Sequence, residues 1–439
     1  MPSPASLEAE RGLVRAIGVR GLTASIVNTT IGAGIFVLPA LVARDLGTAA
    51  PLAYLACGFA MMLVVASFAV AGSRVSLTGG IYAYVEVAFG PLVGFVVGAL
   101  VWLACLLASA SVASALAASV ALVAPVFGEP IWRSLFLAVI YAGFAAVNVR
   151  GVALGTRVVE AMTVLKLLPL FLLIAVGLSW VRPSDLSIAW ASPERIGTTS
   201  ITLIFAFVGV EIALLPSGEI REPERTIPRA IFISLALTTL LYLAIQLVAH
   251  AVLGPQLATF TDAPLAEAAS RVLGPAGRSL VLAGGAVSML GFLSGDVLGT
   301  PRMLFAFARD GFVPTRLARL HPRFNTPWLA IATHAAMAWG LATLGTFGVL
   351  ALLSNVAVLS CYLLCCAAAI ELKRRNVDSG GRPFTLPGGP LVPLAACVVV
   401  AWLLSHASAQ ESAVTGGAAA VAVVLYLVRA VRLRTARPA

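Results

Sequence analysis

The sequence is poor in charge. Asp, Glu, Lys and Arg make up only 11% of its 439 residues while 60% are hydrophobic, and the mean hydropathy is +0.99. An ordinary soluble domain carries about 25% charged residues, so a soluble globular fold is excluded. Cysteine is scarce and scattered. Cys57, Cys105, Cys361, Cys365, Cys366 and Cys397 all fall in apolar segments with no ligand-like spacing, which argues against a disulfide framework or a metal site and for small packing residues. The histidines, His250, His321, His334 and His406, are equally dispersed and read as structural. Long polar stretches are missing too. No loop can hold a soluble domain, so a single integral unit over residues 1–439 is expected. Acidic residues number 19 against 29 Lys and Arg, giving a net charge of +10 and a pI near 9.8. The arginines are spread over short loops instead of forming a basic patch, which speaks against nucleic acid as a partner.

What is present is apolar runs of span length. Segments of roughly 20 apolar residues, enough to cross a bilayer, are placed near 20–43, 49–71, 91–124, 131–148, 157–178, 197–217, 229–252, 279–308, 327–346, 348–370, 391–408 and 413–430. An all-α, multi-pass membrane protein of about twelve helices follows. With both termini in the cytoplasm, only Arg44, Arg133, Arg182, Arg195, Arg271 and Arg278 lie outside and Lys166 lies within a span. The remaining basic residues are inside, as the positive-inside rule requires. Met1 to Glu10 is polar and the first apolar stretch already has span length, so no cleavable signal is expected.

The first span is not uniform. Ile26-Val27-Asn28-Thr29-Thr30-Ile31-Gly32-Ala33-Gly34-Ile35-Phe36 sets three polar residues and two glycines at its centre. Each glycine costs a helix interior about 1 kcal/mol relative to Ala. Backbone groups freed in lipid must find partners, so an unwound stretch survives only where it lines a cavity. The N–H groups of Ala33, Gly34 and Ile35 would then face an anion and carbonyls near Asn28 and Thr29 a cation, a pair of helix ends suited to a zwitterion. The competing reading is close helix packing by the two glycines. The sixth span repeats the pattern in Ile204-Phe205-Ala206-Phe207-Val208-Gly209-Val210-Glu211, with Gly209 seven residues before Pro216 as Gly32 is before Pro39. Two interrupted helices in corresponding positions point to a binding site between repeats.

Three ionisable residues lie at membrane depth. Lys166 is nine residues inside Arg157, roughly 13 Å along a helix. It is either a functional group able to gain and lose a proton or a structural lysine bonded to carbonyls. Glu211 has a hydrogen-bonding or a gating and proton-sensing reading. Asp296, in Leu293-Ser294-Gly295-Asp296, could pair with Lys166 or hold a proton itself. On the third span Trp102 sits among small residues and either walls a pocket or fills core.

These motifs together resemble the amino acid–polyamine–organocation family of transporters. The resemblance rests on Gly32 to Phe36, the Phe205 to Glu211 run, the charged loop Glu219 to Arg229, the Gly79-Gly80 loop, and Pro301 to Pro314 with its Arg309-Asp310-Gly311. It covers about residues 20–370. It implies the five-plus-five inverted-repeat fold with broken helices one and six, the repeats spanning about 20–178 and 197–370, and extra helices at about 391–430. It further implies an amino acid permease of the plasma membrane working by alternating access, with an amino acid and the lipid bilayer as partners, no cofactor beyond a coupling proton, and no particular oligomeric state. By the resemblance the site comprises Asn28, Thr29, Gly32, Ala33, Gly34, Ile35, Trp102, Phe205, Phe207 and Gly209. The N–H groups of Ala33 and Gly34 hold the substrate carboxylate, carbonyls of Asn28, Phe205 and Phe207 hold its ammonium, and Phe205 or Phe207 closes over it. Lys166, where sodium-coupled relatives bind their cation, senses the proton, with Glu211 linking the second break to the gate. Asp296 departs from the family, whose members more often have a small neutral residue there, and is a further coupling candidate on its own chemistry. Exchange or export is the alternative to proton-coupled uptake. An intramembrane aspartyl protease needs two facing carboxylates, and its Gly-x-Gly-Asp signature fails at Leu293. A channel needs rings of carbonyls or like charges. No enzyme is expected.

Overall fold

A computed structural model describes residues 14–182, 189–204, 206–260, 263–345, 347–378 and 382–435. Lipid leaves the backbone no water to bond with, so helices close their own hydrogen bonds. Apart from the isolated bridge Ile17–Ile220, no β pairing occurs among the described residues. The first span is α1 (Val19–Thr30) and α2 (Gly34–Leu46), and the second is α3 (Ala50–Gly72). A short α4 (Ile81–Phe89) precedes α5 (Pro91–Val123), α6 (Pro130–Val149) and α7 (Val152–Gly177), the third to fifth spans. The sixth is α8 (Pro193–Ile204) and α9 (Val210–Leu214), followed by α10 (Pro223–Leu253), α11 (Pro264–Gly299) and α12 (Pro301–Arg309). The last four are α13 (Trp328–Leu344), α14 (Phe347–Arg374), α15 (Leu391–Leu404) and α16 (Ala409–Thr435).

Eight segments of the described residues are long and apolar enough to cross a membrane, and α13 and α15 are shorter apolar helices. The two broken spans complete the twelve read from the sequence. The eighth span begins earlier than expected, at Pro264 instead of 279. Its first turns carry Glu267 and Arg271, which an apolar-run criterion rejects, and Gly274, at φ 71°, kinks them before Pro275. The eleventh is shorter than expected and ends at Leu404.

The broken spans lie on α11, and a row of glycines makes that possible. A Cβ on Gly291 would stand 2.5 Å from Asn28 Oδ1, one on Gly295 2.8 Å from Thr29 Cγ2, and one on Gly299 2.4 Å from the Ile212 carbonyl oxygen. Spaced four apart, these residues share one helix face, so a single stripe seats α1 and then α9. The breaks also meet each other. At Gly209, φ is 128° and a Cβ would lie 2.6 Å from the Thr29 carbonyl oxygen, so glycine is required there both by conformation and by space.

The span ends are tied in sets. At one end the Ala16 and Ile17 N–H groups donate to the Glu219 carbonyl, both at 3.0 Å, and Arg221 N–H donates to the Ile17 carbonyl at 2.9 Å. The Glu219 carboxylate accepts from Arg302 Nε at 3.1 Å and Nη2 at 3.3 Å, both side chains being buried. Arg429 donates to the Asp310 carbonyl at 2.8 Å and lies 4.2 Å over the Phe312 ring. At the other end Arg195 bonds the Asp45 carbonyl, Arg133 donates to Ser114 at 2.7 Å, and Arg271 donates to Gln256 at 2.6 Å.

The stripe has a direct test. Gly299→Ala should cost about 1–3 kcal/mol, the usual range for an overfilled contact, because the methyl must displace backbone of α9 and not a flexible side chain. It should appear as a lower thermal midpoint in detergent. Gly340→Ala, where nothing lies within 4 Å of the new Cβ, should leave the midpoint unchanged or raised; equal midpoints for the two variants would refute the close seat.

Candidate functional site

At the first break α1 ends at Thr30, with Ile31 at φ −81° and ψ 81°, and α2 restarts at Gly34. The carbonyls released there have found donors. Lys166, fully buried on α7, donates from Nζ to the Asn28 carbonyl at 2.6 Å and to that of Ile31. Ser288 Oγ on α11 lies 2.8 Å from the Ile31 carbonyl and 2.9 Å from that of Gly32, and the Asn28 amide nitrogen donates to the Gly291 carbonyl. Lys166 Nζ therefore stands against the first break, and the Asn28 carbonyl expected to receive a substrate ammonium is already occupied by it.

The sixth break is closed by different side chains. Thr29 Oγ1 lies 2.8 Å from the Gly209 carbonyl. Tyr242 OH donates to the Ala206 carbonyl at 2.8 Å and lies 3.3 Å from that of Thr30, so one phenol spans both breaks. Glu211 Oε2 accepts the Gly209 N–H at 3.0 Å and also the Tyr362 hydroxyl. A carboxylate in the first turn of a helix meets its positive end, so α9 supplies its own anion. α2 does not. Its N-cap, Ala33, offers no side-chain bond, and its leading N–H groups are the ones a helix cannot satisfy internally.

Both breaks border one cavity. It is lined from the first by Thr29, Thr30, Gly32, Ala33 and Gly34, and from the sixth by Val208, Gly209, Glu211 and Ile212. Ala104, Cys105, Ala108 and Val112 of α5, Phe292 of α11, and Ser354 and Val358 of α14 complete the wall. One end thus presents the start of α2, Glu211 is the carboxylate among the lining residues, and the remainder is mostly small, with hydroxyls at Thr29, Thr30 and Ser354. In this conformation there is room for roughly one or two waters, so a larger ligand requires the broken spans to move away from α5, α11 and α14.

Several expected site residues lie elsewhere. Phe207 faces away, packing edge-on against Tyr242 with ring centroids 5.2 Å apart, and lines a second, apolar cavity with Ile26, Met61 and Val65. The aromatic wall is Phe292, supplied by another helix. Phe205 lies outside the described residues. Ile35 is buried but does not line the cavity. Trp102 does not reach it either, since it sits about 100° round α5 from the face of Ala104, Cys105, Ala108 and Val112.

Asp296 does not pair with Lys166. It lies eight residues past Ser288, the α11 residue level with Lys166, which is about 12 Å along the helix. Its Oδ2 is 2.8 Å from His334 Nε2 on α13 and its Oδ1 accepts from Thr300 at 2.6 Å, with all three residues fully buried. Nothing in the sequence links residues 38 positions apart, so the partnership was not readable there. The glycines spaced four apart were readable, and so was Phe292 on the same helix.

The sequence profile of the family described as amino acid permease matches residues 17–428. The serine/threonine exchanger SteT of Bacillus subtilis is 29% identical over 401 residues, covering 88% of this chain and 90% of that protein. The branched-chain amino acid permease BcaP of the same organism is 28% identical, covering 89% of this chain and 87% of the relative. An uncharacterized transporter of Mycobacterium tuberculosis is 33% identical, covering 97% and 93%. Two interrupted spans meeting at a buried cavity, in a chain matched almost end to end, carry one conclusion: the protein belongs to the amino acid permease family and is an amino acid transporter of the membrane.

Proposed function

We propose that the protein takes up a small neutral amino acid together with a proton across the plasma membrane, by alternating access, with both termini in the cytoplasm. The observation that carries this reading is the Lys166 ammonium seated on the Asn28 and Ile31 carbonyls. Charged, it holds α1 against α7. Neutral, it loses much of the strength of those bonds, since charge-assisted hydrogen bonds are roughly twice as strong as neutral ones. A proton on Lys166 is thereby coupled to the shape of the first break, the part of the cavity that meets the substrate.

The substrate carboxylate takes the uncapped N-terminus of α2 at Ala33 and Gly34, where dipole and N–H groups favour an anion. The substrate ammonium lies toward Glu211. That carboxylate already accepts Gly209 N–H and Tyr362 OH, so little of it is left for a second, side-chain cation. Small apolar lining from α5 and α14 suits a short neutral side chain. Single-site amino acid exchange is the second reading, favoured by the likeness to a relative named as a serine/threonine exchanger.

Three measurements test the reading. Accumulation of amino acid by proteoliposomes should rise with an inward proton gradient and collapse with a protonophore. Lys166→Ala should lose that response while either retaining exchange, as a coupling residue would, or losing binding, as a group holding the site together would. Full gradient-driven uptake in this variant would move coupling away from Lys166.

Gly34→Leu should weaken substrate binding by at least about tenfold, or 1.4 kcal/mol, in direct binding to purified protein. A Cβ there already lies 3.3 Å from Ala206, so the larger side chain wedges the breaks apart. Unchanged affinity would remove the first break from the site.

Thr315→Cys should react with an impermeant maleimide only once the inner face is opened. Labelling in intact cells would reverse the orientation.

A further inference from the structure

We infer that Asp296 and His334 form a second proton-holding site, placed between the substrate cavity and the inner end of the protein, through which the coupling proton passes after it leaves the cavity. The inference rests on the proton-coupled reading above and extends it to residues that do not touch substrate.

The pair is unusual in its charge balance. Asp296 and His334 are both fully buried at membrane depth and 2.8 Å apart. The nearby buried guanidinium, Arg302, is committed to Glu219. With one proton shared between carboxylate and imidazole the pair has no net charge, whether written as imidazolium and carboxylate or as imidazole and carboxylic acid. Without that proton it carries one negative charge in a low-dielectric setting, where an uncompensated charge is costly. Gain and loss of a single proton are therefore the states this site distinguishes.

Its surroundings form a path. Ile212 lines the cavity, and its carbonyl oxygen lies against Gly299, the residue before Thr300. Thr300 in turn donates to Asp296 Oδ1 at 2.6 Å, and Asp296 Oδ2 faces His334 Nε2. Polar atoms thus run from Thr300, behind the cavity wall, to the imidazole, and the far nitrogen of His334, Nδ1, is buried with no hydrogen-bond partner among the described residues. A purely structural pair would leave that nitrogen a costly loose end, whereas a relay needs an open acceptor on its outgoing side. His334 lies six residues inside Trp328, the first residue of α13, which is about 9 Å from its inner end.

The other titratable and charged groups around the pair are few. From α5 there is Cys105, and from α6 Tyr141, whose hydroxyl lies 3.0 Å from Ser109. From α9 Glu211 lines the same cavity as Cys105. From α7 Lys166 is engaged on the first break. Two carboxylates are thus available, Glu211 lining the cavity and Asp296 paired with an imidazole. The proton's movement is a transfer between acid sites with no bond to carbon made or broken: it leaves the cavity side, is held by Asp296 and His334, and departs from the imidazole.

The test uses full-length protein in proteoliposomes, probed with a radiolabelled mixture of L-serine, L-threonine and L-isoleucine. Two activities are read side by side, accumulation driven by an inward proton gradient and one-for-one exchange at equal pH. Asp296→Asn and His334→Gln keep hydrogen-bonding side chains but cannot hold the proton. Both should retain exchange within about twofold of wild type while gradient-driven accumulation falls at least about tenfold. Gradient response preserved in either variant overturns the inference, and so does loss of both activities in both variants, which would make the pair a structural clamp. Wild-type protein that exchanges but ignores the gradient would instead overturn the proton-coupled reading itself, and with it this extension.

Discussion

Backbone polar groups cannot be left bare inside a bilayer, and the architecture around the two breaks follows from that constraint. Unwinding the first span releases the carbonyls of Asn28, Thr30, Ile31 and Gly32, and each is met by a side chain from another helix: Lys166 from α7, Ser288 from α11 and Tyr242 from α10. The sixth span is treated the same way by Thr29 and Tyr242. These donors hold the breaks open as defined shapes. α2 begins without a capping side chain or an acidic residue in its first turn, whereas α9 carries Glu211 there.

The donors differ in reach. A hydroxyl can donate only one hydrogen bond, whereas Lys166 Nζ donates two, to the Asn28 carbonyl in the last turn of α1 and to the Ile31 carbonyl just past it. Motion also has to involve the ends. The Glu219 carbonyl and carboxylate tie the segment before α1, the loop after α9 and α12 together, so opening this end requires a buried ion pair to separate or travel as a unit. The glycine stripe on α11 provides a smooth track against which α1 and α9 lie without interlocking side chains.

Most of the broad outline was legible in the chain. Apolar runs of span length, the scarcity of charge and the distribution of arginine gave twelve helices and their expected sidedness, because lipid imposes those requirements residue by residue. The breaks were legible for the same reason: glycine and polar residues at mid-span are costly unless they serve a cavity. Lys166 and Glu211 announced themselves by depth alone. Where the reading went astray, the missing quantity was direction. Phe207 and Trp102 are on the expected helices but face away from the cavity, and facing is set by how neighbouring helices rotate against one another.

Composition and local pattern thus determined that this protein spans the membrane, where it is interrupted, and which ionisable groups had to be explained. Tertiary structure alone decided the partners. It put Lys166 on the Asn28 carbonyl, gave Glu211 to Gly209 and Tyr362, supplied Phe292 as the aromatic wall, and joined Asp296 to His334 instead of to the lysine. The physical reason is that membrane burial is a property each residue carries in its own segment. A hydrogen bond between helices depends on rotation and vertical register, and only the packed set of helices fixes those.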